Sequence, residues 1–343
     1  MINKAHKQNI VLVDFPVHKQ WDFLRSLETA TRLHFHVKWV DGRASVPKFI
    51  RLFRYITFPI QFFLKRKRYE NIISWQQFFG IMLAFYCNLF KVKKVPRIFV
   101  MTFIYKPKKG IIGTIYKKWL KYSVNNQYID HIVVYSNHEK TFYCNELGID
   151  PNKISFIPLS LPNISETHDD EQLKSQNYIF STGKSNRDYD FLVNSLKGEG
   201  YNLHIACDSY HSINDPNIKV HGDIFDEKMY HYMHNCHCVV IPLKDLNVSS
   251  GQLVILQAMR LKKPIIVSNS HALKDYVTNN VNALIINNTK EELLNALDRI
   301  YHDETLYSRL TNEGYRLFKE KHSEEAMGSA MAAIINAAHQ KSI

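Results

Sequence analysis

One pattern recurs along the chain and constrains its fold. Short apolar runs are separated, for the most part, by segments long enough to form helices. In the first half these runs are residues 9–14, 33–40, 70–75, 97–103, 130–136 and 153–159; in the second half they are 178–183, 201–207, 218–222, 238–243, 264–268 and 282–287. Strands that alternate with helices form βαβ units, and a strand covered on both faces is a continuous apolar run. The sequence therefore predicts an α/β fold with parallel sheets.

A polar segment divides this pattern into two halves. Residues 162–176 (PNISETHDDEQLKSQ) are acidic and have almost no apolar periodicity, so we interpret them as a linker. A chain of 343 residues has room for two domains of about 150 residues each. We predict an N-terminal domain at 1–162, a linker at 163–176 and a C-terminal domain at 177–322. Two doubly wound, Rossmann-like domains would face a cleft, with ligands at the carboxyl ends of the strands.

Composition indicates the compartment. The five cysteines are few and irregularly spaced, which is typical of a reducing environment rather than of a disulfide framework. The apolar run before Asp14 is too short for a secretory signal. No stretch of about 18 uncharged apolar residues suggests a membrane-spanning helix. We expect a cytoplasmic protein.

Positive charge is concentrated in one region. Residues 47–122 contain 17 Lys or Arg and a single acid, Glu70, whereas the rest of the chain has 27 bases and 31 acids. Within that region, 48–70 and 106–122 mix basic with apolar and aromatic residues, a composition that binds anionic membranes. The alternative is a packed helix with a basic solvent face. We predict that the basic run contributes to a membrane surface through Lys65, Arg66, Lys67 and Arg68.

Nucleic acid is the other partner that such a charge block could attract. The sequence contains no recognised nucleic-acid-binding module, and the apolar content of 48–64 favours lipid. We therefore expect no nucleic acid among the partners.

Two strand-to-helix turns in the second half are suited to anions. After the run at 178–183, Gly183 and Lys184 form a turn, and Arg187 directly precedes a helix. Helix N-terminal amides and two cations together attract a negative charge. The alternative is a solvated turn with two surface cations.

The second turn opens the segment SSGQLVILQAMRLKKPIIVS. A hydroxyl of Ser249 or Ser250 could cap the helix, and Gly251, followed by Gln252, would let a ligand approach the backbone. An ordinary helix cap is the alternative. Two such turns in one half favour a diphosphate, which needs several donors converging from one side.

Four segments in order carry a family resemblance: GKSNRDYDFL, CVVIPL, SSGQLVILQAMRLKKPIIVS and HALKDYVTNNVNALII. In order and spacing they resemble the donor-binding domain of GT-B glycosyltransferases of the group-1, GT4-like type. Residues 130–320 resemble the family well and 1–129 only in outline. The resemblance implies transfer of a hexosyl group from a nucleotide-sugar, such as a UDP-sugar, with no obligatory metal and no cofactor. It also implies that the last helix, in 323–343, packs back on the N-terminal domain.

The resemblance further assigns residues. Lys184 and Arg187 would contact the donor diphosphate, and the turn at 249–252 would contact phosphate and sugar. A pair of glutamates common in the family would fall on Ser249 and Gln257. An amide at 257 can still hydrogen-bond ribose hydroxyls, but a hydroxyl at 249 cannot supply a carboxylate near the anomeric centre. The retaining mechanism therefore does not transfer directly.

Several functions follow as expectations. The charge block in the acceptor half suggests an acceptor that is lipid-linked or part of a surface polysaccharide, at the inner face of the cell membrane. A GT-B-like sugar-nucleotide epimerase shares the fold, and the two missing carboxylates also allow a non-catalytic protein.

Catalytic groups are harder to predict. A histidine that many relatives carry after the fourth strand is absent near 103–105, so the general base of an inverting reaction would be Asp14, His18 or Asp22. Each could equally be structural or solvated. The segment HYMHNCHC at 231–238 has spacing that suggests zinc, but it lacks a second pair of ligands, and we predict no metal site.

Overall fold

The structure is a computed structural model that describes residues 7–18, 20–43, 46–93, 96–163, 168–211, 214–246 and 250–340. These residues form two compact units. The first runs to Pro158 and resumes at Met327, and the second spans Leu159–Ala326.

The described residues form strands and helices in the following order. The strands are β1 Gln8–Val13, β2 Phe35–Trp39, β3 Tyr69–Ser74, β4 Arg97–Val100, β5 Ile129–Val134, β6 Ile154–Phe156, β7 Ile179–Thr182, β8 Leu203–Ala206, β9 Ile218–His221, β10 Cys238–Ile241, β11 Ile265–Ser268 and β12 Leu284–Ile286. The helices are α1 Asp22–Thr31, α2 Lys48–Leu64, α3 Gln77–Leu89, α4 Gly110–Val124, α5 Asn137–Leu147, α6 Glu171–Lys174, α7 Tyr189–Leu196, α8 Asp226–Asn235, α9 Gln252–Arg260, α10 Lys290–His302, α11 Glu304–Leu317 and α12 Glu324–Gln340.

Each unit contains one six-stranded parallel sheet. The strand order is β2-β1-β3-β4-β5-β6 in the first unit and β12-β11-β10-β7-β8-β9 in the second. All registered pairs are parallel. The predicted α/β class with two Rossmann-like domains is therefore confirmed.

Several predicted elements differ in length. The fourth strand ends at Val100 rather than at residue 103, and Thr102 adopts a left-handed φ of 49°, which extended pairing does not allow. The sixth strand is only three residues long. The segment interpreted as a linker contains a short helix, α6, because the Asp170 side chain accepts the amide of Leu173 at 3.0 Å.

The sheet of the first unit is covered on both faces, which explains why its strands are continuous apolar runs. On one face α2, α3 and α4 bury residues such as Phe62, Phe79 and Leu120. On the other face the final helix packs with α1 in a second cluster that includes Phe23 and Met331. That helix approaches α1 closely at Gly328, where a Cβ would lie 2.4 Å from a backbone oxygen.

Two histidines of the second unit are buried in their neutral form. His204 stacks on Tyr178 with ring centroids 4.3 Å apart, and burial lowers its pKa to about 4. His322 stacks on Tyr276, and its Nδ1 lies 2.9 Å from a backbone oxygen; burial lowers its pKa to about 4 as well. Desolvation disfavours the charged imidazolium in both places.

Within the described ranges, none of the helices combines the length and apolarity needed to cross a bilayer.

Candidate donor site and its relatives

The strand order fixes where a ligand can bind in the second unit. From β7 the chain proceeds to β8 and β9 on one side, and then returns to the other side of β7 to form β10. The connections that follow the adjacent strands β7 and β10 therefore leave the carboxyl edge of the sheet in opposite directions. Such a switch point leaves a crevice, and open α/β sheets bind ligands there.

The turn after β7 has a conformation that requires glycine. Gly183 has a φ of +118°, and a Cβ at this position would lie 2.6 Å from Nη2 of Arg187. Two hydrogen bonds stabilise this turn. The Tyr189 hydroxyl donates to the Gly183 carbonyl at 2.6 Å, and the Asp188 side chain caps α7. Because Gly183 has no side chain, the Arg187 guanidinium can lie directly against the backbone of the turn.

Arg187 connects the turn after β7 with the turn before α9, which the sequence analysis predicted separately. Its side chain is only 8% exposed and donates to the carbonyl oxygens of Thr182 at 3.0 Å and Ser185 at 2.9 Å. Its Nη1 also donates to Oγ of Ser250 at 3.2 Å. Burial lowers the pKa of the guanidinium, yet arginine keeps its charge at neutral pH. The site thus contains a fixed positive charge between the two strand ends.

The residue at the cap position of α9 makes no side-chain hydrogen bond to the helix. The sequence suggested capping by a serine, but Ser250 instead donates to the Ser185 carbonyl at 3.0 Å, and Ser249 lies outside the described residues. Gly251 occupies the cap position with a φ of +96°. The N-terminal end of a helix, through its amides and its dipole, favours an anion at this position.

Lys184 lies in the same turn but is more exposed. Its side chain is 58% exposed, and its Nζ forms an ion pair with Asp208, beyond the end of β8. The Nζ atom also lies 5.2 Å from the centroid of the Phe225 ring. An exposed ion pair is weak, so a phosphate can compete for this lysine.

The two glutamines of α9 have different environments. Gln252, at the start of the helix, is half-buried. Gln257 is buried and donates to the hydroxyl of Tyr230 at 3.3 Å, while the Arg260 guanidinium lies 5.0 Å from the centroid of the same ring. The amide that replaces the family glutamate is therefore held by a contact with α8.

The first unit has an equivalent switch point between β1 and β3. Asp14 follows β1 there, with Oδ2 at 3.4 Å from Nε2 of Gln76 and 3.5 Å from the hydroxyl of Tyr55. Its neighbour Gly42 has no room for a side chain, since a Cβ would lie 2.7 Å from Cβ of Asp14. The carboxylate is half-buried, and its side-chain hydrogen bonds within the described residues are these two long ones.

The other two base candidates lie further along the connection from β1 to α1. His18 is exposed, and its Nδ1 accepts the amide of Gln20 at 3.2 Å. Asp22 begins α1 and pairs with Arg25 at 2.8 Å. Asp14 is the candidate that directly follows β1 at the carboxyl edge of the sheet.

The histidines of 231–238 have partners that the sequence did not indicate. His231 lies 3.2 Å from Asp170 and His234 lies 2.8 Å from Asp169, both in the segment interpreted as a linker. Cys236 and Cys238 are fully buried and point into the core. The ranges that the structure describes hold no cluster of three or more His, Cys, Asp or Glu that could bind a metal.

The basic run after α2 forms a single 3-10 turn at Arg66–Arg68. Arg66 donates to the Phe63 carbonyl at 3.0 Å and its guanidinium lies 4.9 Å from the centroid of that ring. Lys65, Lys67 and Arg68 are exposed. Three of the four predicted membrane-surface cations thus face solvent.

Comparisons with known proteins agree with this architecture. The family model "Glycosyl transferases group 1" matches residues 196–317. A comparison with curated protein sequences gave no match. Among solved structures, HepE from Anabaena in complex with UDP is 11% identical with a TM-score of 0.66, and the match covers 96% of this chain and 100% of that one.

Two further structures have similar scores. Sucrose-phosphate synthase from Thermosynechococcus elongatus is 15% identical with a TM-score of 0.67, over 98% of this chain and 100% of its own. WaaG, a glycosyltransferase involved in lipopolysaccharide biosynthesis, is 12% identical with a TM-score of 0.60, over 95% of this chain and 99% of its own. At these identities the structures establish the fold. The predicted resemblance is confirmed: the chain has the GT-B fold, and its residues 196–317 match the glycosyl transferases group 1 family.

Proposed function

We propose that this protein is a glycosyltransferase that uses a nucleoside diphosphate sugar as donor. The observation that carries the proposal is Arg187, a buried cation that bridges two anion-suited turns at the switch point of the second sheet. The group 1 family match over 196–317 and the UDP-bound HepE structure support the same donor class. We therefore favour a UDP-sugar.

The site can stabilise the leaving diphosphate with protein groups. The charge of Arg187, the displaceable charge of Lys184 and the N-terminal end of α9 would all face the phosphates. Donors fixed before the reaction stabilise developing negative charge without reorganisation. We propose that these groups act without a metal or cofactor, while Ser249, Gly251 and Gln252 line the phosphate and sugar, and Gln257 contacts the ribose after leaving Tyr230.

On the acceptor side we propose that Asp14 takes the proton of the attacking hydroxyl, with His18 as the second candidate. A general base must lie within hydrogen-bonding reach of the acceptor, and the β1 switch point is where a ligand would bind in this unit. A hexose donor is supported by a HepE structure that contains UDP-glucose. A lipid-linked or polysaccharide acceptor at the inner face of the membrane is supported by the basic region of this unit and by the lipopolysaccharide role of WaaG.

The donor site is tested by removing its charges. The double substitution Lys184→Ala and Arg187→Ala should weaken UDP binding at least roughly 100-fold, because each charged hydrogen bond contributes about 1.5–3 kcal/mol. Calorimetric titration with UDP measures this. The matched control is Lys290→Ala with Arg299→Ala, two cations of α10, which should leave UDP affinity unchanged.

A second variant keeps all charges. Gly183→Ala should displace Arg187, because the added Cβ would lie 2.6 Å from Nη2, and it should also weaken UDP binding. Unaltered UDP affinity in both variants, with folding verified by circular dichroism, would rule out this donor site. Product analysis with a panel of nucleotide-sugars separates the alternatives, since an epimerase would isomerise a donor without any acceptor.

A further inference from the structure

The first unit has a helix that is apolar on two faces. The inner face of α2 contributes Phe58 and Phe62 to the core. The outer face repeats large apolar side chains every three or four residues, and these are 39–72% exposed: Phe49, Leu52, Phe53, Ile56, Ile60 and Leu64. At 100° per residue they occupy one stripe about 120° wide. An amphipathic surface helix would carry polar residues at these positions.

A second helix on the same side of the sheet repeats this feature. At the start of α4, Ile111, Ile112 and Ile115 are 80%, 78% and 62% exposed, whereas Leu120 and Val124 are buried. Both α2 and α4 pack against α3, which lies between them. The exposed apolar residues of α2 and α4 therefore belong to one face of the unit, which we call the apolar face.

The charges of the apolar face are all positive. Neither α2 nor α4 contains an aspartate or a glutamate. Exposed lysines lie at the ends of both helices: Lys48, Lys65, Lys67, Lys109 and Lys121. Exposed apolar rows bordered by cations match the interfacial zone of an anionic bilayer, where acyl chains cover the apolar groups and headgroups neutralise the cations.

Other occupants fit this face less well. A two-fold contact between copies of the chain would bring the same cations opposite each other, and like charges repel. Nucleic acid would neutralise the cations but would leave the isoleucines and phenylalanines in water. We propose that the apolar rows of α2 and α4 insert into the interfacial layer of an anionic membrane.

This inference changes how the basic run at 65–68 is expected to act. Charges attract a protein to anionic lipid, but at 0.5 M salt they are screened within roughly 5 Å. Inserted apolar side chains keep their contribution at high salt. The cations therefore set the preference for anionic lipid, and the apolar rows hold the protein on the bilayer.

The placement of the rows connects the membrane to the acceptor edge. The N-terminal ends of α2 and α4 lie at the carboxyl edge of the sheet, since each helix follows a strand in a parallel βαβ unit. Tyr55 of α2 contacts Asp14 at that edge. The most exposed apolar side chains, Phe49, Ile111 and Ile112, thus lie at the same edge of the sheet as the proposed acceptor site, an argument that rests on the proposed function.

Vesicle flotation tests the insertion without any donor or acceptor. Vesicles of phosphatidylglycerol and phosphatidylethanolamine are mixed with protein in 0.1 M or 0.5 M NaCl. Wild type should float at both concentrations. The variant F49S/F53S/I111S/I112S should lose roughly tenfold or more of its vesicle affinity at both, because four large apolar side chains no longer insert.

Two matched variants define the contrast. K65Q/R66Q/K67Q/R68Q should weaken binding in 0.1 M NaCl but match wild type in 0.5 M NaCl. W39S/V281S changes two exposed apolar residues outside the apolar face and should bind like wild type. If the quadruple serine variant is unstable, the pairs F49S/F53S and I111S/I112S each serve instead, with a smaller expected loss.

The inference is overturned if the serine variants float as wild type does, or if 0.5 M NaCl abolishes wild-type binding. It is also overturned if wild type sediments as a dimer that the serine variant dissociates, or if it binds a DNA duplex but no vesicle. UDP titration of the serine variant should match that of wild type. Loss of flotation with intact UDP binding therefore reports on the membrane face alone, whereas failure of the donor site would appear in calorimetry.

Discussion

The two sheets have equivalent switch points, but their side chains are organised differently. In the second unit the crevice is fixed by Gly183, whose backbone passes under the guanidinium of Arg187, and by a hydrogen bond from that arginine to Ser250. In the first unit Asp14 has two contacts of 3.4 and 3.5 Å. One site is prepared before its ligand binds, and the other leaves its polar group available. This difference suits the proposed roles. The second unit would hold the nucleotide donor in a site fixed in advance, and the Asp14 carboxylate of the first unit would remain available to the acceptor.

The largest effect should come from the loosely held side chain. Asp14→Asn removes the proposed base, and general-base catalysis contributes about 100- to 10,000-fold. We expect kcat for sugar transfer to fall by that factor while UDP affinity, measured by calorimetry, stays unchanged. His18→Gln is the matched control. If His18→Gln abolishes transfer and Asp14→Asn does not, Asp14 is not the general base, and the proposed role belongs to His18.

The two units should also respond oppositely to acid. Burial lowers the pKa of His204 from 6.5 to about 4, so the unfolded state binds a proton first, and the second unit loses stability as pH falls through that range. The loss is roughly 3 kcal/mol at the acid limit. In the first unit burial raises the pKa of Asp130 from 3.8 to about 6, so acid relieves a buried charge there.

Hydrogen exchange at pH 7 and pH 5, corrected for intrinsic rates, measures both responses. Amides of β8 should lose protection at pH 5, whereas those of β5 should not. His204→Leu should reduce the acid sensitivity of β8, with His322 contributing the remainder, and should not change β5. Equal loss of protection in both sheets, or a His204→Leu variant that is as acid-sensitive as wild type, would contradict this difference.

The smallest effect should come from the exposed pair at the donor turn. Asp208→Asn breaks the ion pair with Lys184 but should change the free energy of unfolding by less than about 1 kcal/mol. Because the lysine becomes available to phosphate, UDP affinity should rise about two- to fivefold. A fall in UDP affinity on calorimetric titration would show instead that Asp208 positions Lys184 for the phosphate. The ion pair would then be part of the binding site rather than a competitor of the ligand.

Much of the fold could be predicted because buried parallel strands leave a local signal. Runs such as CVVIPL are apolar on both faces, and the strand Cys238–Ile241 lies within the run predicted at 238–243. Strand ends were less accurate because pairing stops where the backbone turns, as at Thr102, and no single residue type marks that point. The short helix within the predicted linker depends on one aspartate cap. It could not be predicted because a single aspartate does not stand out in a polar segment.

The site was predicted in pieces but not as a whole. Lys184, Arg187 and Gly251 stand out as residues at strand-to-helix turns, yet the bond from Arg187 to Ser250 spans 63 positions and depends on strand order. The same limit applies to α2. Its mixture of cations and apolar residues indicated a membrane surface, but which apolar residues remain exposed depends on how α3 covers the helix.

The close contact at Gly328 has a consequence for synthesis. The first unit is completed by the last helix, so a nascent chain can finish folding the inserted second unit while the first still exposes the face that includes Phe23 and Leu27. A polypeptide truncated before Met327 would retain the proposed donor turns but leave that face in water. Chaperones and proteases recognise such exposed apolar surface, so the cell can remove incomplete chains that would otherwise bind its sugar nucleotides.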